Sequence, residues 1–329
     1  MRLILVAMNS QGLKTDVAII EQVIRNHLSQ VIELVTIVVP ERITFQSAAE
    51  NDRMISIPRS ADAVIFLERI VDHTRLLSAR HRILIPNLEW LMPSVAASIP
   101  RITEIWHKTR ISEVTLAARF PGPGHSYLGF TSPDFSGCTP DFSRFIHLRG
   151  SSDQKQTEIV LAAWLKHPEW PQLSVHSYVN HRGFLHFPQW LEHGNIRFKY
   201  CWISEKDYRS EATGAGVHLC PSSVEGFGHY INEAKSMGAL IVTTDAPPMN
   251  ELVDETCSVL VSPVRTERQN FGVRHLIDAA GFEKAIAHVL KMPIELRISL
   301  GEKARSDYLL HRERFRSQLI AQLLRLAQT

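Results

Sequence analysis

Cys220-Pro-Ser-Ser-Val-Glu-Gly-Phe-Gly-His-Tyr-Ile-Asn-Glu-Ala-Lys-Ser-Met-Gly238 reads as a strand end, a turn and a helix. The apolar run 217–220 stops at a Pro-Ser-Ser turn, and a helix is expected from about Gly228. Gly226 and Gly228 let the backbone approach a ligand with no side chain in the way. Their N–H groups, at a helix N-terminus, suit phosphate or sugar oxygens. Glu225 precedes the helix and Glu233 lies inside it, with seven residues between them. One carboxylate can reach a ligand from the loop and the other from the helix face. Each can accept from paired hydroxyls, which a hexose and a ribose both offer.

The same alternation extends outward from this segment. In the second half, strands are expected at residues 145–148, 173–176, 196–200 and 239–243, and a helix at 155–165 with Ile159, Val160, Ala163 and Trp164 on its apolar face. In the first half, strands are expected at 3–8, 31–39, 63–67, 83–85 and 102–106. Thr15 or Asp16 would cap a helix carrying Val17, Ile20, Val23 and Ile24. Strand, turn, helix, strand is the signature of a parallel sheet with helices on both faces. The turn-rich stretch 131–143, with Pro133, Gly137 and Pro140, reads as a linker. The expected fold is α/β: two Rossmann-like, doubly wound domains facing each other across a cleft. Residues 1–140 form the first and 141–304 the second, with a C-terminal helix, 305–329, returning to the first. Ligands of such sheets sit beyond the carboxyl ends of the strands.

The 329 residues suffice for two cores, and 44% hydrophobic with 21% charged residues excludes a disordered chain. A net charge of +2 is too even to announce a nucleic-acid binder. Cys138, Cys201, Cys220 and Cys257 are widely spaced with no Cys-x-x-Cys pair, so neither a zinc site nor a disulfide framework is expected. The N-terminal apolar run reads as a buried first strand, and no stretch approaches 18 apolar residues, so no membrane span is expected. These features point to a cytoplasmic protein. The basic stretch 69–82, with Arg69, His73, Arg75, Arg80, His81 and Arg82, reads as a solvated helix. It also supplies a surface for peripheral contact at the inner membrane face.

Glu225-Gly-Phe-Gly-x4-Glu233-Ala, preceded by Pro-Ser-Ser and followed by Met-Gly-Ala-Leu-Ile-Val-Thr-Thr-Asp, resembles the E-x7-E element of retaining GT-B glycosyltransferases, the family-4 group above all. The resemblance implies that Glu225 contacts the donor hexose and that Glu233 binds the ribose. It implies further that the amides of Gly226, Phe227 and Gly228 help hold sugar and phosphate. Leu148-Arg-Gly-Ser-Ser-Asp-Gln-Lys155 is similar to the family's diphosphate turn, with Lys155 as the phosphate lysine and Arg149 and Gly150 beside it. There Arg149 precedes the glycine instead of following it, and Gln156 replaces a common glycine. The loop 244–251, with Asn250, resembles the one that closes under the donor. Gly12 stands where the family has a glycine-rich loop. At the end of a central strand, where the family often has a histidine, this chain reads Ile85-Pro-Asn-Leu-Glu-Trp90, so Asn87 or Glu89 would stand in. Lys108 and Thr109 would face the cleft or cap the next helix.

The resemblance implies a hexosyltransferase that moves a sugar from a UDP- or GDP-sugar to a hydroxyl of a glycan, lipid-linked or other acceptor, with retention. Catalysis would rest on Glu225, Lys155, Asn87 and Glu89. The nucleotide-sugar is a substrate and no cofactor is expected. The histidines lack metal-ligand spacing and no Asp-x-Asp occupies a metal-binding context, so a metal-independent enzyme is expected. The alternatives are a sugar-nucleotide epimerase of the same fold, a nucleotide-sugar-binding protein without turnover, and a nucleic-acid-modifying protein.

Overall fold

The computed structural model describes residues 1–40, 43, 46–58, 60–177, 194–200 and 204–328. Cys201 falls outside them. The chain divides into two compact units. The first holds Met1–Ser132, Arg268–Gly272 and His311–Thr329; the second holds Pro133–Glu267 and Val273–Leu310.

The first unit runs β1 (Arg2–Met8), α1 (Gln11–His27), β2 (Glu33–Val39), α2 (Ala48–Met54), β3 (Ala63–Leu67), α3 (Thr74–Leu77), β4 (His81–Ile85), α4 (Pro93–Ala96), β5 (Glu104–His107), α5 (Arg110–Arg119) and β6 (Gly124–Tyr127). Its six strands lie in the order β2-β1-β3-β4-β5-β6, all paired in parallel. β1 from Leu3 onward and β3 throughout are interior strands, buried and apolar as in sheets covered on both faces.

The second unit runs β7 (Asp141–Gly150), α6 (Thr157–Lys166), β8 (Leu173–Ser177), β9 (Ile196–Tyr200), α7 (Glu205–Thr213), β10 (Ala215–Cys220), α8 (His229–Met237), β11 (Leu240–Thr244), α9 (Met249–Leu252), β12 (Ser258–Val261), β13 (Arg265–Gln269), β14 (Gly272–Leu276), α10 (Ala279–Lys291) and α11 (Ile294–Gln328). β13 and β14 form a two-stranded sheet, whose tip residues 268–272 belong to the first unit, as does the end of α11. The main sheet is again parallel, in the order β12-β11-β10-β7-β8-β9. Its core includes Phe145, Trp164, Val217, Val242 and Phe282. Both units are therefore doubly wound α/β layers, as the strand–helix alternation predicts.

Three local expectations are corrected. α1 starts at Gln11 and not after Thr15, because Ser10 is its N-cap and accepts from the Leu13 N–H at 3.4 Å. Asp16 is instead a buried residue of that helix. The turn-rich stretch gives way to β7 already at Asp141: Phe142 is buried, and a Cβ on Gly216 of the paired strand would come within 2.5 Å of its Cα. The basic stretch is no solvated helix. Arg69 and His73 are buried, Arg75 Nη1 donates to the Ile57 carbonyl at 2.9 Å, and Arg82 lies in β4. No helix among the described residues is long and apolar enough to cross a membrane.

Candidate functional site

In a doubly wound sheet the crevice forms where the strand order reverses, between two neighbouring strands whose connections leave to opposite sides. In the second unit that point lies between β7 and β10, which pair directly. β7 ends on Arg149 and Gly150 and the turn after it carries Lys155, while the turn after β10 carries Glu225 to Gly228. Topology thus brings together two segments that are some 70 residues apart.

Buried hydrogen bonds fasten the two turns. His147, in β7, bonds the Leu219 carbonyl through Nδ1 and Thr157 Oγ1 through Nε2, both at 2.8 Å. Nδ1 must carry the proton to reach a carbonyl, so Nε2 accepts from the threonine. Burial lowers the His147 pKa to about 3, which keeps the ring neutral in this role. Gln156 caps α6 in a left-handed conformation, φ +44°, the geometry that a glycine adopts without strain. Its side chain offsets that strain: Nε2 donates to the Pro221 carbonyl at 2.8 Å, and Oε1 accepts from the Ile277 N–H at 3.0 Å. Ser223 N–H donates to the Gln154 carbonyl at 2.8 Å. The departure at Gln156 thereby ties the first turn to the second.

Lys155 Nζ donates to the Leu148 carbonyl at 3.0 Å and stands 3.7 Å from the centre of the Tyr230 ring. Burial pulls its pKa down, Glu225 and Glu233 oppose that, and Arg149 adds to it. Arg149 is itself buried and donates from Nη1 to Ser177 Oγ at 3.0 Å. Glu225 accepts from Ser222 Oγ at 2.5 Å. Burial raises the Glu225 pKa, and Lys155 and the Ser222 bond draw it back. Gly228 is the N-cap of α8 with φ +101°, a conformation closed to most side chains. The amides that follow it open the helix N-terminus. Phe227 is buried, its ring edge-on to His229 at 5.3 Å. Glu233, within α8, accepts from the Tyr208 hydroxyl at 3.0 Å. Asn250 is the second residue of the loop's short helix α9 and donates to Asp245 Oδ1 at 3.0 Å.

Two cations, a helix N-terminus and two carboxylates within electrostatic reach of Lys155 make a surface suited to a diphosphate bearing hydroxylated groups. Among the described residues, no group of three or more His, Cys, Asp or Glu is placed to hold a metal ion.

Gly12, Asn87 and Glu89 lie in the first unit. Gly12 is exposed within the first turn of α1. Asn87, after β4, donates to Glu68 Oε2 at 2.9 Å and accepts from Lys108 Nζ at 3.2 Å. Lys108 also forms a buried ion pair with Asp16. Glu89 is buried in the turn Leu88–Trp90, and its carbonyl accepts from Asn270 Nδ2 at 2.6 Å. Thr109 takes the capping role, accepting from the Ser112 N–H at 3.3 Å.

Sequence reasoning passed over Ser222 and Tyr230 in the second unit and Glu68 in the first, and read Asp16 only as a helix cap. The three-residue spacing of Ser222 and Glu225 in one turn was the available signal for Ser222, and for Tyr230 the local pattern held none. Nor did it hold one for Glu68 or for the ion pair of Asp16.

No protein-family model and no curated protein sequence matches the chain. Solved structures do match. A sucrose-phosphate synthase from Thermosynechococcus elongatus superimposes with TM-score 0.74 at 12% identity, over 99% of this chain and 98% of that one. Anabaena HepE in complex with UDP gives TM-score 0.67 at 12% identity, covering 98% and 99% respectively. An E. coli structure described as trehalose-6-phosphate bound with UDP-2-fluoro glucose gives 0.67 at 10% identity, covering 100% and 99%. The fold is GT-B. At these identities the likeness speaks for architecture, and the chemistry rests on the side chains.

Proposed function

We propose that the protein is a glycosyltransferase of the retaining kind, moving a hexose from a UDP- or GDP-sugar to an acceptor hydroxyl, without a metal ion, in the cytoplasm. The observation that supports this reading is the meeting of Lys155, Arg149, Glu225 and Glu233 at the switch point between β7 and β10. In it, Lys155, Arg149 and the α8 amides stabilise the charge that develops on a departing diphosphate, the electrostatic contribution that tends to dominate such catalysis. Glu225 and its neighbouring amides orient the hexose, and Glu233 takes the ribose hydroxyls. In the same reading Asn250 serves the donor sugar, and Asn87 or Glu89 serves the acceptor.

A thermal-shift screen against UDP, GDP and their hexose derivatives tests the reading, because a ligand that binds only the folded state raises its apparent stability. One nucleoside diphosphate and its sugar should shift the midpoint. Product analysis with and without sugar acceptors should then show transfer. Absence of any shift across the panel overturns the reading; sugar inversion without an acceptor would instead mark an epimerase.

Lys155 and Arg149 supply positive charge that a divalent ion supplies elsewhere. Turnover is therefore expected to survive EDTA. Full loss on chelation, restored by magnesium or manganese, would refute metal independence.

A further inference from the structure

Tyr230 touches both ends of the candidate donor site. Its ring lies 3.7 Å from Lys155 Nζ, and its hydroxyl lies 2.6 Å from Ser222 Oγ, which in turn lies 2.5 Å from Glu225 Oε1. A serine hydroxyl has one proton, and here it is donated to the carboxylate. Ser222 Oγ must then accept from Tyr230, so the chain runs in one direction: Tyr230 OH to Ser222 Oγ to Glu225. Tyr230 and Ser222 are buried, which strengthens both bonds and the attraction of an ammonium to a ring face. Burial also raises the Tyr230 pKa well above its ordinary value, so the phenol keeps the proton this chain requires.

We infer that Tyr230 is a positioning residue for the transfer reaction, holding Lys155 through its ring and Glu225 through Ser222. It makes no contact with the substrate itself. One aromatic side chain in the first turn of α8 thus sets the spacing between the cation that receives the diphosphate and the carboxylate that orients the sugar. The inference rests on the proposed function and adds to it how the two halves of the site are kept in register.

The test separates hydroxyl from ring. Wild type, Tyr230→Phe, Tyr230→Leu, Ser222→Ala and the Ser222→Ala/Tyr230→Phe double variant are compared by calorimetry with UDP and by kinetics with UDP-glucose. GDP and GDP-mannose replace them if the screen selects guanine. Thermal unfolding checks that each variant is folded. Tyr230→Phe should bind UDP as wild type does but lose roughly tenfold in kcat, the scale of one lost hydrogen bond. Ser222→Ala should match it, and the double variant should be no worse than either single one, since all break the same chain. Tyr230→Leu should in addition weaken UDP by roughly fivefold, for want of the ring under Lys155. Full kcat in Tyr230→Phe, or effects that multiply in the double variant, overturns the hydroxyl chain. Unchanged UDP affinity in a folded Tyr230→Leu overturns the ring's role. If Tyr230→Leu does not fold, Tyr230→Phe and Ser222→Ala decide. Wild type that binds neither nucleotide and turns over neither sugar refutes the functional reading itself, a result distinct from wild-type behaviour in the variants.

Discussion

In Glu225→Ala, kcat is expected to fall by roughly 10²-fold or more while the free nucleoside diphosphate still binds nearly as it does to wild type. The carboxylate sits in the loop before α8, bonded to Ser222 and opposite Lys155, and the proposed function assigns it the sugar of the donor. An interaction made chiefly with the reacting sugar is worth most as that sugar becomes oxocarbenium-like, so its loss shows in turnover. Glu233 lies farther along the helix and is oriented by Tyr208. Glu233→Ala should weaken the nucleoside diphosphate by about 1–3 kcal/mol, the range for a lost charge-assisted hydrogen bond. Tyr208→Phe keeps the carboxylate and controls for the lost tie to α7. Calorimetry beside steady-state kinetics reads all three. Normal binding and turnover in both glutamate variants would remove the basis of the functional reading. Swapped effects would keep the reading but exchange the places of sugar and ribose.

Lys108→Ala is expected to destabilise the first unit by about 3–5 kcal/mol, because it strands the Asp16 carboxylate without its cation. The Lys108 and Asp16 side chains are only 3% and 1% exposed, so water cannot take over. The same lysine supports Asn87 and lies 4.9 Å from the Phe130 ring. Removing both charges at once, in Asp16→Leu/Lys108→Met, should recover most of the loss, since a buried pair and an apolar pair of similar size are close in free energy. Hydrogen exchange of the β1 and β5 amides under rising urea reads this unit alone. A cost below about 1 kcal/mol would mean that the site admits solvent.

The sheet framework was legible because central parallel strands are apolar on both faces. β3 falls where the run at 63–67 places it, and β9, an edge strand with Arg197 and Lys199 exposed, is marked at 196–200 by its period-two alternation instead. The turn at 220–228 was legible because Pro-Ser-Ser and two glycines separate the apolar run 217–220 from the helix that follows. What local pattern could not convey was partnership across the chain. An aspartate near a helix start reads as a cap; only folding brings Lys108, 92 residues away, to Asp16. Gln156 reads as a lost glycine, and its bonds to the Pro221 carbonyl and the Ile277 amide come from distant turns. The strands β13 and β14, the first largely exposed and the second partly buried, likewise lack the continuous apolar run that marks the main sheets.

The split of α11 bears on how the chain is made. Phe315, Leu319, Leu323 and Leu326 are buried residues of the first unit, and Phe315 packs on Phe130 with ring centroids 4.7 Å apart. On the ribosome, residues 1–132 leave the exit tunnel early, but these four side chains follow only after the whole of the second unit has been translated. Domains generally fold in order of synthesis. Here the earlier-made unit must wait with part of its apolar surface uncovered, while the later-made one already has all its pieces. The nascent first unit is thus the natural client for a holding chaperone.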